Sequence, residues 1–388
     1  MSHFTETRPL FELFPGLRER VRFADLAELP TPVCSLTPVM EALELNGVEA
    51  YEKRDDLTSP RYGGNKVRTL EVLLGRALAA GVTRVYATGA YGSNHAAANA
   101  LHAPRVGLEA GAVLYPQPTS PAAIENLALI LSRRGPMVDL PHWSALPWGM
   151  WHTARRCRKR GVRAHVMVPG GATPQGALGY VSAALELAAQ VQRGELPPPR
   201  SIIVATGSNC TTAGLLVGLA IATRMGLGFS SQHSVTLIGV RVTPWPVTSS
   251  FRILGLAART AELLHQLSGD AVCALDRASL AAHFELDTRY IGSGYGHATE
   301  AGLGAVELWR KHVGHPLETT YSGKSAASFL DRLSLSGDRL QGPLLYWATK
   351  SSAVQSPVSS EDVAWAPRRM RNFIARGPHE RRADPSVG

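Results

Sequence analysis

The sequence predicts an α/β fold with mostly parallel sheets, and three observations carry that prediction. Short apolar runs, among them Arg84-Val85-Tyr86-Ala87, Ala112-Val113-Leu114-Tyr115, Ile202-Ile203-Val204-Ala205, Thr236-Leu237-Ile238-Gly239-Val240 and Leu344-Leu345-Tyr346-Trp347, alternate with stretches of helical spacing, as strand-helix-strand crossovers require. Polar, glycine-bearing turns lead into helical patterns at three places, Gly63-Gly64-Asn65-Lys66, Thr88 to His95 and Thr206 to Thr211. In open sheets of this class ligands sit at the carboxyl ends of strands, so all three turns are candidate ligand contacts. The chain has 388 residues and is 45% hydrophobic, which exceeds the usual size of one compact domain and makes two domains the expectation.

The first turn follows the charged run Glu52-Lys53-Arg54-Asp55-Asp56 and precedes the apolar helical pattern Val67, Leu70, Leu73, Leu74. Its glycines allow close approach of a ligand to the backbone. A lysine held there, if desolvated, can form a Schiff base; read in isolation, Lys66 is equally a lysine on a solvated helix face. The second turn lies between the strand ending at Ala87 and an alanine-rich helix. It offers unpaired N–H groups and the positive end of a helix dipole to an anion such as a carboxylate. The third joins the strand at 202–205 to an apolar helix over 213–222 and has the polar composition of a phosphate loop.

Composition narrows the function classes. The cysteines Cys34, Cys157, Cys210 and Cys273 contain no Cys-x-x-Cys pair, so neither a disulfide framework nor a zinc site is indicated. No signal-like segment or apolar stretch of about 20 residues is present, and a cytoplasmic protein without a membrane partner is expected. The formal charge is +9, concentrated at Arg155-Arg156-Cys157-Arg158-Lys159-Arg160 and Arg368-Arg369-Met370-Arg371. Both clusters read as solvated helix faces rather than nucleic-acid platforms, since neither is interleaved with aromatic residues. His297, His312 and His315 offer a weak metal alternative without an acidic ligand pattern; no metal is expected.

Several motifs then fall in a familiar order: Leu29-Pro30-Thr31-Pro32, Lys53-Arg54-Asp55-Asp56-Leu57, Gly63-Gly64-Asn65-Lys66, Ser93-Asn94-His95, Pro169-Gly170-Gly171, Gly176-Ala177-Leu178-Gly179-Tyr180, Gly207 to Thr211, Gly294-Tyr295-Gly296 and Tyr321-Ser322-Gly323-Lys324. With them the chain, from about Leu29 to Ser352, resembles the fold-type II pyridoxal-phosphate enzymes, in the branch of D-cysteine desulfhydrase and 1-aminocyclopropane-1-carboxylate deaminase. The resemblance implies a tryptophan synthase β-like, three-layer α/β/α fold. A small domain over 69–164 would be inserted into a large domain built from 1–68 and 165–355, with the cofactor, pyridoxal 5'-phosphate, in the cleft between them. It further implies a homodimer. The proline-, serine- and arginine-rich stretch 356–388 lies outside the resemblance and reads as a poorly ordered extension with a short helix near 363–375.

The family's chemistry carries over residue by residue. Lys66 would form the imine, Asn94 would meet the cofactor's O3′, and Gly207, Ser208, Asn209, Cys210 and Thr211 would hold its phosphate. Ser322 and Thr349 would lie by the pyridine nitrogen, Ser93, Asn94 and His95 would hold the substrate carboxylate, and Tyr295 and Tyr321 would face the substrate. Lys66 or Ser93 would take the α-proton. The hydroxyl of Ser322, where the deaminases carry a glutamate, and His95, where they carry a glutamine, favour the desulfhydrase branch. The implied activity is β-elimination from D-cysteine or a similar β-substituted alanine, giving pyruvate and ammonia. Ring opening of the cyclopropane amino acid, a specialised biosynthetic reaction and an inactive binding homologue are the alternatives. Departures from the family pattern are Asn209 and Cys210 at two loop glycines, Gly92 for a glutamine, Glu318-Thr319-Thr320 for Asp-Pro-Val, and Lys350-Ser351 for two glycines. Asparagine tolerates a positive φ and cysteine does not, which leaves either a weaker hold on the phosphate or a different loop path.

Overall fold

A computed structural model describes residues 3–45, 47–230, 234–334 and 343–377. In chain order the strands are β1 (Phe4–Thr5), β2 (Phe23–Ala24), β3 (Val33–Ser35), β4 (Ala50–Lys53), β5 (Arg84–Ala90), β6 (Glu109–Tyr115), β7 (Met137–Asp139), β8 (Ala164–Val166), β9 (Ser201–Thr206), β10 (Thr236–Arg241), β11 (Phe284–Asp287) and β12 (Leu344–Trp347). β1 and β2 form a small antiparallel ribbon. The rest form a six-stranded sheet in the order β11-β10-β9-β12-β4-β3 and a four-stranded sheet in the order β7-β6-β5-β8. All pairings in both sheets are parallel except β3 with β4, which agrees with the α/β expectation. The central strands β9 and β12 are apolar and almost wholly buried, as parallel strands covered by helices on both faces must be.

Each expected apolar run is a strand, and the carboxyl ends of β5 and β9 open into the turns before Asn94–His102 and Cys210–Arg224. The small-sheet boundaries drawn at 68/69 and 164/165 fall inside the helix Asn65–Ala79 and inside β8.

The charged run after Ala50 differs from its appearance in the sequence: Glu52 and Lys53 lie on β4, and both are fully buried with Asp55. Each is paired. Lys53 Nζ donates to Glu186 Oε1 and Gln190 Oε1, both at 2.6 Å, and to the Thr31 carbonyl at 2.7 Å. Arg68 reaches Asp55 at 2.7 Å and Glu186 at 2.9 Å. Tyr180 and Trp347 donate to Asp55 Oδ2 at 2.7 and 2.9 Å. Full pairing is what permits charges in a core. Burial pushes the Glu186 carboxyl up, but Arg68 and Lys53 outweigh it and bring it down to about 2.

The extension is more ordered than its composition predicts. Within the described residues it forms the helices Ser360–Val363 and Arg368–Ala375, and Val363, Ala366, Met370 and Phe373 are buried in the core cluster that includes Leu127, Ile130 and Leu131. Met370 and Phe373 are three apart and share a helix face, which the surrounding arginines conceal in a composition count. Trp365 Nε1 donates to the Leu131 carbonyl at 3.1 Å, and the Phe373 ring packs edge-on against Tyr91 at 5.2 Å. Residues 378–388 lie outside the described residues.

Candidate active site

Lys66 is the second residue of the helix Asn65–Ala79. Gly64, at φ +88°, makes the entry into that helix possible; a Cβ there would stand 2.5 Å from the Thr349 carbonyl oxygen, so only glycine allows this close approach. The turn is pinned from the other side. Asn65 N–H donates to the Thr349 carbonyl at 3.0 Å, Gly63 N–H donates to Ser351 Oγ at 2.8 Å, and Gly64 pairs with Lys350 in an antiparallel bridge. Thr349 thereby acts through its backbone in holding the lysine turn. The Lys66 amine stands 3.5 Å from Ser208 Oγ. Burial lowers its pKa, while Cys210 acts weakly in the opposite direction; desolvation is what an imine-forming amine requires.

The loop Gly207 to Thr211 closes over the same amine. Its left-handed position falls on Asn209, at φ +74°, and Cys210 begins the helix Cys210–Arg224. Of the two readings the sequence left open, this is a loop path that cysteine can follow. Asn209 Nδ2 donates to the Val247 carbonyl at 2.9 Å, and the buried Cys210 thiol donates to the Gly171 carbonyl at 3.3 Å. No side chain caps the start of this helix, so its first amides keep their capacity for an anion. Thr243 Oγ1 donates to the Gly207 carbonyl at 3.0 Å, and Asn65 Nδ2 to Thr211 Oγ1 at 2.9 Å. The Pro169-Gly170-Gly171 turn completes the enclosure: a Cβ on Gly170 would fall 2.3 Å from Ser208 Oγ and 3.6 Å from Lys66 Nζ, and one on Gly171 would fall 3.3 Å from His95 Cε1.

His95 is buried and neither ring nitrogen has a hydrogen-bond partner among the described residues. Burial, with a contribution from Lys66, lowers its pKa to about 3. The neighbouring His102 is lowered to about 4, mainly by burial. An unpartnered buried imidazole beside a buried amine fits a polar group bound between them. Both histidines also set a pH dependence. The unfolded chain takes up these protons near pH 6.5, whereas the folded chain holds the rings neutral down to about 3 and about 4; stability therefore falls as pH drops through that window. The urea midpoint is expected to fall between pH 7 and pH 5, less steeply in His95→Gln; an unchanged slope in the variant would refute the role given to His95.

Ser93 caps the helix Asn94–His102, its Oγ accepting from Ala96 N–H at 3.3 Å. Asn94 Oδ1 accepts from Tyr62 OH at 2.9 Å and from Asn126 Nδ2 at 2.8 Å. Across the site, the Tyr295 and Tyr321 hydroxyls are hydrogen-bonded at 2.6 Å. Burial raises both phenols well above their ordinary value, so both are protonated at neutral pH. Lys324 Nζ donates to the Ile291 and Gly294 carbonyls at 2.7 and 3.1 Å and so fixes the glycine-flanked loop that carries Tyr295. A Cβ on Gly207 would fall 3.1 Å from the Tyr321 ring, which places that ring against the Gly207 turn. Ser322 Oγ accepts from Glu318 N–H at 2.8 Å, and Glu318 Oε1 accepts from the Tyr321 and Ser322 N–H groups at 2.6 and 2.8 Å. The Ser322 hydroxyl is thus engaged at its own helix start.

Residues 24–340 match the family described as pyridoxal-phosphate dependent enzyme. The chain belongs to that family. It is 33% identical over 327 residues to D-cysteine desulfhydrase of Salmonella choleraesuis, covering 83% of this chain and 92% of the relative. A crystal structure of an ACC deaminase homologue superposes with a TM-score of 0.71 at 28% identity, covering 88% of this chain and 94% of the other. Threonine deaminase isoform 2 from Solanum lycopersicum shares the fold with a TM-score of 0.57 at 16% identity, over 95% of this chain and 89% of the other. This pyridoxal-phosphate family member has the fold-type II architecture that its motif order implies.

The turns bearing Lys66, Ser93-Asn94-His95, Gly207 to Thr211 and Tyr321 converge on one region. Tyr62, Asn126 and Glu318, which hold Asn94 and the Ser322 helix, escape sequence reasoning because their roles arise from contacts more than 30 residues distant or from a helix cap with no fixed motif. The histidines do not form a metal centre: His315 Nε2 is 2.8 Å from Glu52 Oε2, and no group of three metal-ligating side chains occurs among the described residues. No helix among them is long and apolar enough to cross a membrane. The basic run lies on and just after the helix Leu146–Lys159, where Trp148 and Trp151 are exposed beside it, with the Arg155 guanidinium 5.5 Å over the Trp151 ring. These aromatic neighbours are ones the sequence reading did not weigh.

Proposed function

We propose that the protein is a pyridoxal-phosphate-dependent carbon–sulfur lyase that eliminates the β-substituent of D-cysteine or a similar β-substituted alanine. D-cysteine and one water would give pyruvate, ammonia and hydrogen sulfide. The observation that supports this reading most is the desolvated Lys66 amine beside Ser208 and the neutral His95. Lys66 would hold the cofactor's aldehyde carbon, the Gly207 to Thr211 loop its phosphate, and Asn94 its phenolate oxygen, with Ser322 and Thr349 on the nitrogen side. The bound cofactor supplies an electron sink for charge at the substrate's α-carbon. Ser93 and the first amides of the Asn94 helix would bind the substrate carboxylate with His95, and Lys66 or Ser93 would move the α-proton. The Tyr295–Tyr321 pair, kept protonated by its raised pKa values, can donate a hydrogen bond to the departing thiolate and is unsuited to act as a base.

The cleft between the two sheets, with 69–164 as the small domain and 1–68 with 165–355 as the large one, is part of this reading. So are a homodimer and a cytoplasmic location. The similarity to an ACC deaminase homologue supports a second reading, ring-opening deamination of 1-aminocyclopropane-1-carboxylate.

The test adds pyridoxal phosphate to the purified protein, records the visible spectrum, and maps the lysine labelled by borohydride. A label on Lys66, with pyruvate, ammonia and sulfide released from D-cysteine, is the expected result. Formation of 2-oxobutanoate from the cyclopropane amino acid alone would favour the second reading, and a label scattered over surface lysines would leave a binding homologue of this fold.

A further inference from the structure

The paired segments that position Lys66 bring a second lysine into the same site. Gly64 and Lys350 form the bridge between the two segments, one of which carries Lys66 two residues later. The Lys350 ammonium lies 5.1 Å over the Tyr62 ring and 3.4 Å from its hydroxyl. That hydroxyl has two acceptors within reach of its one proton, Asn94 Oδ1 at 2.9 Å and Asn126 Oδ1 at 2.8 Å. The ammonium is therefore two hydrogen-bond lengths from the asparagine at the carboxylate-binding helix start. No carboxylate lies within ion-pair distance of it among the described residues.

The two lysines are electrostatically opposite. Burial lowers Lys66. At Lys350 burial also acts downward, but Tyr62, Glu125 and Glu318 outweigh it and the amine is raised, so it remains an ammonium at neutral pH. A half-buried cation whose direct polar partner, among the described residues, is a single phenol gains most from an anion. The α-carboxylate already has the amides of the Asn94 helix, the phosphate has the Cys210 helix, and the cofactor's phenolate oxygen has the Asn94 side chain.

We infer that Lys350 is a specificity-determining residue that receives a second anionic group, carried on the β-substituent of the amino-acid substrate. The substrate class becomes β-substituted alanines whose leaving group bears a carboxylate or comparable anion. This inference rests on the lyase reading of the site and narrows it.

Two amino acids without a leaving group separate the inference from the reaction. Racemic 2-aminoadipate places a carboxylate where a substituted cysteine would carry one, and racemic norvaline is its neutral, shorter counterpart. Their dissociation constants are measured by calorimetry on the full chain loaded with pyridoxal phosphate, for the parent protein, Lys350→Met and Lys350→Arg. The parent is expected to prefer 2-aminoadipate by roughly 10-fold to 100-fold, the range of one charge-assisted hydrogen bond. The ratio should approach one in Lys350→Met and recover in part in Lys350→Arg. Equal weakening of both ligands in Lys350→Met would place the ammonium on the α-carboxylate and overturn the inference, as would an unchanged ratio or a parent protein without preference. Turnover of D-cysteine is scored separately, so loss of the lyase reading and loss of the Lys350 assignment give different results.

Discussion

Lys66→Ala is expected to lower turnover of D-cysteine by at least about a thousandfold, the scale seen when a covalently acting group is removed, and to abolish the borohydride-trapped label. The variant should remain folded. Lys66 lies in the first turn of its helix and makes one long contact, to Ser208, and alanine is a good helix former. Its thermal midpoint should therefore stay near that of the parent, which separates a chemical loss from a structural one. Continued release of ammonia at the parent's rate would show that another group carries the reaction.

The second large effect is on stability. Glu186→Ala leaves Arg68 and Lys53 buried without the carboxylate that both approach at under 3 Å, and an uncompensated buried charge costs about 3–5 kcal/mol. Urea denaturation measures it. The exposed pair Arg310–Glu307 is the control, since ion pairs in free solvent contribute little; Glu307→Ala should leave the midpoint where it is. The network also has a sign in pH. Glu186 is held at about 2 in the fold, below its ordinary 4.5, so its contribution is complete above that ordinary value and is lost as pH falls toward 2. A Glu186→Ala protein as stable as the parent would mean that the Asp55 charge and the Gln190 hydrogen bond suffice to hold the two cations.

The turns proposed to bear the chemistry are legible because they rest on local rules. A glycine pair before a helical pattern announces the Lys66 turn, and strand, polar turn and helix in succession announce Asn94 and Ser208. The conformation at Asn209 was half legible. The residue types say that any left-handed position belongs to asparagine, but only the three-dimensional path shows that the turn needs a single one. What the sequence conceals depends on distant partners. The burial of Lys53 and Arg68 cannot be read from their own stretches of chain, because it depends on Glu186, more than 100 residues away. Tyr62 and Asn126 give no motif, and their value lies in holding Asn94 from opposite ends of the chain segment. The extension misleads in another way: its arginines dominate the composition, whereas Met370 and Phe373 decide its packing.

That packing has a consequence for how the site is supported. Phe373 rests against Tyr91, and Tyr91 is two residues before Ser93 in the turn that carries Ser93, Asn94 and His95. The Tyr91 hydroxyl is tied to Asp139 at 2.6 Å, so the ring is clamped at its tip and on its face. The chain reaches this point after leaving β12 in the other sheet. The tail therefore works as a buttress that spans both sheets. A force that swings the four-stranded layer outward has to peel an aromatic contact from directly behind the Ser93-Asn94-His95 turn.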